Sequence, residues 1–188
     1  MEAFKLTSGS LLQWVQPKTF ERQFELRTDD SLLGVLRFET AFGTLASSSI
    51  GGEQWTFKRV GFFNSHVTIR AASGTNDVAI YWPKLWNNGW LEFDQGNRFH
   101  WKSLNFWGSE WGFCNAREEL IFSLKQGSIE PKVSDIMKTQ AIVKIEPQSQ
   151  NLSELPLLLM LGWYLMIKQK DDTTTVLITT TSAAVMVV

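Results

Sequence analysis

The sequence contains few of the residues on which catalytic and metal sites depend. Its 188 residues include one cysteine, Cys114, and two histidines. Because a single cysteine cannot form an intramolecular disulfide, the fold does not depend on an oxidising compartment. With only two histidines, few side chains titrate near neutral pH. These shortages argue against an enzyme, and we expect no metal site and no bound cofactor.

The few residues that could perform chemistry are not arranged for it. His66 and His100 are far apart in sequence, and neither has a second potential metal ligand at helix or strand spacing. The segment 108–112 is the nearest approach to a nucleophile elbow, but its glycine spacing is wrong and no helix pattern follows. No glycine-rich phosphate-binding loop occurs. Cys114 is interpreted as a small buried or semi-buried thiol rather than as a nucleophile activated by His100.

The charge balance excludes a further class of partner. Lys and Arg together number 18 and Asp and Glu number 19, which gives a formal net charge of −1. Such a chain has no bulk attraction for nucleic acid, so we expect no nucleic-acid partner. Residues 1–16 lack the continuous apolar core of a secretory signal. We therefore expect a cytoplasmic location, with peripheral attachment to a membrane as the other option.

Aromatic residues, in contrast, are abundant, with 13 Phe and 9 Trp. From Phe20 to Glu146, apolar and polar residues alternate in short runs, the pattern of half-buried strands. Residues 94–97 form a hairpin signal, since Gly96 can adopt positive φ. The predicted strands are 20–27, 32–39, 42–50, 55–60, 66–71, 78–82, 91–93, 98–104, 106–113, 120–125 and 139–146. Ten to twelve strands at this spacing predict a mainly β barrel or sandwich.

The segment from Leu155 to Ile167 is apolar on every side, which predicts a buried helix. As a helix it would reach only about 20 Å, whereas a bilayer core is about 30 Å thick. A barrel of more than about eight strands has a lumen that must be filled. The two observations together predict a closed antiparallel barrel of about twelve strands around this central hydrophobic helix.

The domain organisation follows from that architecture. Residues 1–170 are predicted to form a single domain that includes the helix. Residues 171–188 form a Thr/Val-rich tail, uncharged from Thr173 onward, and Asp171-Asp172 is interpreted as a polar helix exit. Three alternatives stay open for the tail: a further strand, a loosely ordered tail, or a second hydrophobic contact with a membrane or partner. β-Branching favours an extended conformation.

Segment 51–63 resembles the Trp-x-Phe-x-Arg segment of proteins with the Tubby C-terminal-like fold, through Trp55, Phe57 and Arg59. A glycine-turn hairpin like 91–101 and an apolar helix near the C-terminus also recur in that superfamily. Its members include Tubby domains, plant LURP-one-related proteins and phospholipid scramblases. The resemblance implies a twelve-stranded barrel around a hydrophobic helix. No motif transfers the phosphoinositide-binding residues of Tubby domains, and the chain has no acidic calcium-binding run.

Candidate binding residues are Lys84, Trp86 and Trp90, which follow Pro83 in a predicted loop. Loop tryptophans beside lysine and asparagine suit a membrane-interface anchor, a sugar-stacking platform or a protein-binding hot spot. For Lys58 and Arg59, an anionic-lipid patch competes with an outward Lys beside a paired Arg. We expect a non-catalytic binding module for anionic phospholipid or a membrane surface. The alternative is a carbohydrate- or protein-binding module that uses the same tryptophans, its protein partner unknown.

Overall fold

The computed structural model describes residues 11–28, 31–62, 64–84, 88–129 and 138–185. Within these residues lie twelve strands, a short 3-10 turn at Pro147–Ser149 and one long helix, α1 (Leu155–Val185). The strands are β1 (Leu12–Val15), β2 (Gln23–Arg27), β3 (Leu32–Phe38), β4 (Ala46–Ile50), β5 (Glu53–Val60), β6 (His66–Ala71), β7 (Asp77–Pro83), β8 (Gly89–Phe93), β9 (Arg98–Ser103), β10 (Glu110–Cys114), β11 (Leu120–Gln126) and β12 (Ala141–Ile145).

The strands form a closed antiparallel barrel in simple sequence order. Each strand pairs with the next along the chain, and β1 pairs with β12 to close the sheet. Alternate residues point into the lumen, so that Phe57 and Ile69 are fully buried while Lys58 and Arg70 are exposed. The predicted closed barrel of about twelve strands is confirmed.

Helix α1 fills the lumen, as predicted for residues 155–167. Every residue from Leu155 to Lys168 is buried, because the barrel wall surrounds this part of the helix on all sides. The fit is tight: a Cβ added at Gly162 would lie 3.1 Å from the Trp101 ring and 3.2 Å from the Phe122 ring. Core packing between helix and wall therefore supplies most of the apolar burial that stabilises the fold.

The predicted helix end at Ile167 is wrong, because α1 continues to Val185. Asp171 and Asp172, interpreted as a polar helix exit, instead lie within the helix and pair with barrel arginines. The hydroxyls of Thr173 and Thr174 donate to carbonyls one turn earlier, both at 2.9 Å. This local bonding accommodates threonine in a helix. The extended alternative for the tail is therefore wrong as far as Val185, and residues 186–188 lie outside the described residues.

Several strand boundaries differ from the prediction. β1 was missed because four residues are too few for a clear alternation. The prediction placed Phe20 on a strand with Phe24, but β2 begins only at Gln23 and Phe20 lies in the preceding loop. Similarly, 106–113 was predicted as one strand, whereas β10 begins at Glu110. The hairpin turn at 94–97 is confirmed, with Gly96 at φ +91°.

The up-and-down order gives the barrel two distinct ends. Loops β1–β2, β3–β4, β5–β6, β7–β8, β9–β10 and β11–β12 lie at one end, and the other loops lie at the opposite end. The helix begins at the second end, where Asn97 Nδ2 donates to Glu154 Oε1 at 2.7 Å. It leaves the lumen at the first end, where Asp171 and Asp172 meet the wall. We call the end where the helix begins the start end, and the end where the helix leaves the lumen the exit end.

Candidate functional site

Five aromatic side chains point into solvent at the exit end. They are Phe20, Phe42, Phe62, Phe106 and Trp107, each between 84 % and 97 % exposed. They lie on four different loops, namely β1–β2, β3–β4, β5–β6 and β9–β10. We call this set the aromatic rim.

Among the described residues, large hydrophobic side chains that are at least 84 % exposed occur only at the exit end. The large hydrophobic side chains exposed at the start end are Leu11 and Leu32, which are 50 % and 51 % exposed. Scattered exposed apolar side chains are ordinary, but a set gathered on one face marks an interaction surface. The aromatic rim is such a set, and it was missed because the alternation of Phe20 and Phe106 with their neighbours resembles a strand.

Local structure presents the rim residues outward. In the β9–β10 loop, Asn105 Oδ1 accepts from the Ser109 amide at 3.0 Å and Asn105 Nδ2 donates to Ser109 Oγ at 2.9 Å. The rings of Phe106 and Trp107 meet edge to face at 5.4 Å. This loop is hydrogen-bonded at its base, so its aromatic tip projects from an ordered support.

A set of ion pairs holds the helix where it leaves the lumen. The Arg59 guanidinium donates two parallel hydrogen bonds, of 2.9 Å and 3.1 Å, to the two carboxylate oxygens of Asp172. Arg22 and Lys168 both reach Asp171, at 2.6 Å and 3.0 Å. Bidentate arginine–carboxylate pairs are both strong and directional. The interpretation of Lys58-Arg59 as an outward Lys beside a paired Arg is confirmed.

Charges on the loops differ between the two ends. Among the described loop residues, the exit end carries the basic Lys18, Arg22, Lys84 and Lys138 and the acidic Glu21 and Glu39. The start end carries the acidic Asp94, Glu118, Glu119, Glu146 and Glu154 and the basic Arg117. Among the described loop residues, basic side chains therefore outnumber acidic ones at the end that carries the aromatic rim, and acidic side chains outnumber basic ones at the opposite end.

The predicted site residues are only partly where the sequence placed them. Lys84 is exposed at the start of the β7–β8 loop, where its amide donates to the Asn88 carbonyl at 2.6 Å. Trp86 lies outside the described residues. Trp90 was predicted in the loop, which is wrong, because it lies on β8 opposite Trp82 on β7. The loop is shorter than predicted because Gly89 already pairs with Pro83 on the neighbouring strand. This close pairing requires a glycine, since a Cβ added at residue 89 would lie 2.5 Å from the Trp82 carbonyl oxygen.

Lys84 and Trp90 nevertheless contribute to one groove on the outer wall. This wall groove has a volume of about 400 Å³ and is lined by Trp82, Lys84, Trp90, Glu92 and Arg98. Arg98 and Glu92 form an ion pair. Each of the two tryptophans contacts a histidine. The ring centroids of His66 and Trp82 are 4.8 Å apart, and the rings of His100 and Trp90 stack with their centroids 4.5 Å apart.

A polar cluster continues from this stack along the wall. His100 Nδ1 lies 2.9 Å from Glu118 Oε1, and Lys102 pairs with the other oxygen of that carboxylate. The hydrogen bond between them raises the pKa of Lys102 and lowers the pKa of Glu118. Cys114 faces His100 across the strands but is buried, and burial raises the pKa of its thiol. The predicted buried thiol is confirmed, and a protonated thiol is a poor nucleophile.

Among the described residues no group of three or more His, Cys, Asp or Glu side chains could hold a metal ion. Within the same residues, no helix combines the length and apolar character that crossing a bilayer requires. Comparison with protein-family models, with curated proteins and with solved structures finds no match.

Proposed function

We propose that this chain is a non-catalytic module that binds the surface of an anionic phospholipid membrane through the exit end of its barrel. The observation that carries the proposal is the aromatic rim, with five highly exposed aromatic side chains on four loops that share one end. Trp is favoured at the level of lipid headgroups, and Phe together with Trp forms the apolar face of segments that bury it at the boundary between headgroups and acyl chains. Loops at one end of a rigid barrel can reach such a boundary together.

The charge distribution favours the same orientation. Lys84 lies exposed in a loop at the exit end, and most of the acidic side chains on the described loop residues lie at the start end. An anionic leaflet attracts each nearby Lys or Arg by about 1 kcal/mol and repels carboxylates. A barrel that approaches with the exit end forward places its basic loops near the lipid phosphates and its acidic loops farthest away.

The size of the rim suits reversible binding. Burial of a large apolar side chain contributes at least about 1.5 kcal/mol, so five together contribute at least about 7.5 kcal/mol before the cost of association. That sum corresponds to peripheral attachment rather than permanent insertion. We include a cytoplasmic location in the proposal.

Membership of the Tubby C-terminal-like superfamily belongs to the same proposal. The closed twelve-strand barrel around a hydrophobic helix is the architecture that the resemblance implies, and it supports the assignment. Phosphoinositide-binding Tubby domains and phospholipid scramblases both act on lipids, which agrees with a lipid ligand here. Architecture alone does not locate a binding site, so the proposed function rests on the exposed side chains of the aromatic rim.

Vesicle co-sedimentation tests the proposal. The purified chain should sediment with vesicles of phosphatidylcholine and phosphatidylserine at 0.1 M salt, and less at 1 M salt, where the Debye length falls from about 10 Å to about 3 Å. The double variant Phe106→Ser, Trp107→Ser should lose at least half of the bound fraction. The matched control is Leu11→Ser, Leu32→Ser, which removes exposed apolar side chains from the start end. Equal binding by both variants would contradict the proposal.

The wall groove supports a second candidate, a carbohydrate-binding module. Trp82 and Trp90 line the groove beside Lys84, Glu92 and Arg98, a combination of indole surface and hydrogen-bonding groups that suits a sugar ring. Stacking on indole depends little on salt, unlike attraction to anionic lipid. A glycan array probed at 0.1 M and 1 M salt would show salt-independent binding that Trp90→Ala removes. A blank array would leave the membrane proposal as the one retained.

A further inference from the structure

We propose that the wall groove binds a phosphocholine group, a phosphate ester that carries a quaternary ammonium, presented by a lipid at the membrane surface. The groove has a volume of about 400 Å³, which falls within the range of small-molecule sites, about 300–1,000 Å³. Its lining combines two indoles with basic and acidic side chains. The inference deepens the proposed function, because it names a headgroup that the groove binds on the membrane contacted by the aromatic rim.

The two indoles of the wall groove lie side by side on the outside of the barrel. Trp82 on β7 and Trp90 on β8 are opposite one another across the strand pair, and both alternate with buried, lumen-facing neighbours. Each indole is in contact with a histidine from the strand on its far side, Trp82 with His66 on β6 and Trp90 with His100 on β9. These contacts hold the indoles in place before a ligand arrives, which lowers the entropy lost on binding.

The indole surface in the groove suits a quaternary ammonium. The face of an indole ring attracts cations, and quaternary ammonium groups of the choline type are bound in this way. His100 stacks on one face of Trp90, and the remaining surface of that indole lines the groove. Glu92 and Arg98 line the groove as well and form an ion pair, so their charges balance. Selectivity for the ammonium therefore comes from the indoles.

A basic side chain lines the other end of the groove. Lys84 follows Trp82 by two residues, and its backbone amide donates to the Asn88 carbonyl at 2.6 Å, which fixes the chain at this point. Within the part of the chain that the structure describes, no carboxylate pairs with the exposed Lys84 ammonium. It can donate to a phosphate oxygen without first breaking an ion pair.

The order of these groups along the barrel matches the order of groups in a phosphatidylcholine headgroup. Lys84 lies at the exit end, whereas Glu92 lies two residues beyond Trp90 in the direction of the start end, about 7 Å along the strand. In the lipid, the phosphate lies next to the glycerol and the choline lies farther from the hydrocarbon. A barrel bound through its aromatic rim places Lys84 near the phosphates and the indoles near the choline groups. The rim and the groove therefore agree on one orientation.

The first test uses the full chain and free phosphocholine, which forms neither vesicles nor micelles. Saturable binding is expected in isothermal titration calorimetry at low salt. Trp90→Leu should weaken it by about tenfold, because the main cation-binding surface is removed. Lys84→Gln, at an exposed position that does not endanger folding, should weaken it by about threefold without weakening the binding of choline.

Two matched controls change the same residue types outside the groove. Trp107→Leu removes a tryptophan of the aromatic rim, and Lys58→Gln removes an exposed lysine from the outer face of β5. Both variants should bind free phosphocholine like the parent. A loss of binding in either control as large as in its groove counterpart would overturn the inference.

Related ligands show which part of the molecule is recognised. Choline, which lacks the phosphate, and phosphoethanolamine, which has a primary ammonium, should each bind more weakly than phosphocholine. Inorganic phosphate at the same concentration should not displace phosphocholine. Equal affinity for phosphocholine and phosphoethanolamine would overturn the inference. Glycan binding that Trp90→Ala removes, without any binding of phosphocholine, would also overturn it and assign the groove to carbohydrate.

Vesicles determine whether a lipid presents the group. With phosphatidylserine held constant, replacement of phosphatidylcholine by phosphatidylethanolamine should lower the bound fraction of the parent, and Trp90→Leu should weaken binding only to the phosphatidylcholine vesicles. Equal binding of the parent to both mixtures would overturn the assignment to a lipid. If vesicles bind the parent but free phosphocholine does not, the proposed function stands and the groove assignment fails. If free phosphocholine binds and no vesicle does, the proposed function fails, and the lipid source fails with it.

Discussion

Leu161→Asp tests whether α1 is the core of the barrel. Leu161 is fully buried at the middle of the helix segment that the wall encloses. Removing its side chain costs about 2–5 kcal/mol, as for other buried leucines. A carboxylate in its place has no partner and adds several kcal/mol of desolvation. Since domains are stable by about 5–15 kcal/mol, the sum is enough to unfold this one.

The matched control for this variant is Leu161→Met, which keeps apolar volume and should cost less than about 1.5 kcal/mol. Urea titration followed by circular dichroism measures both changes. We expect Leu161→Met to unfold cooperatively at a slightly lower urea concentration, and Leu161→Asp to lack a folded baseline. A Leu161→Asp protein with the parent's midpoint would refute the central position of the helix.

Three further predictions concern local features of the wall. Gly89→Ala should lower the free energy of unfolding by about 1–3 kcal/mol, because its Cβ would lie 2.5 Å from the Trp82 carbonyl oxygen, whereas Gly74→Ala has room and should unfold like the parent in urea. Glu118→Gln should cost less than about 1 kcal/mol at neutral pH, because the Glu118 side chain is itself 47 % exposed and its ion pairs are screened by solvent. The pKa of Glu118 is lowered by its hydrogen bond to Lys102, so its contribution is present above the unfolded pKa and is lost as pH falls through the folded pKa. The urea midpoints of parent and variant should therefore converge in acid, and a constant gap would contradict this. Cys114 should react with a thiol reagent only after unfolding, and rapid labelling of the native chain would show that the thiol is not protected.

The barrel could be predicted because its causes are periodic. Alternation in segments such as His66–Ala71 determines which face of a strand is buried, and the structure has that strand within the same limits. The apolar segment 155–167 could not span a bilayer and had to be buried, so its central position followed from length and composition. Both arguments depend on local sequence alone.

The site could be predicted less well, because it depends on which loops share an end. The rim residues Phe20 and Phe106 belong to loops that are far apart in sequence. These loops lie at the same end of the molecule only because the barrel closes with its strands in sequence order. The continuation of α1 was missed because Asp171 and Asp172 resemble a polar stop, and their partners Arg22 and Arg59 are remote in sequence. Long-range pairing of this kind leaves no local signal.

Quenching of Trp107 by brominated lipids tests membrane binding by the aromatic rim most directly. Bromine on the acyl chains quenches only indoles that reach the hydrocarbon boundary, and Trp107 is the tryptophan among the rim residues. Vesicles that contain anionic brominated lipid should quench part of the parent's fluorescence. Trp107→Phe, which keeps an aromatic side chain, should bind equally but lose that quenched part. Equal quenching of parent and variant, or binding of the parent without quenching, would contradict the account.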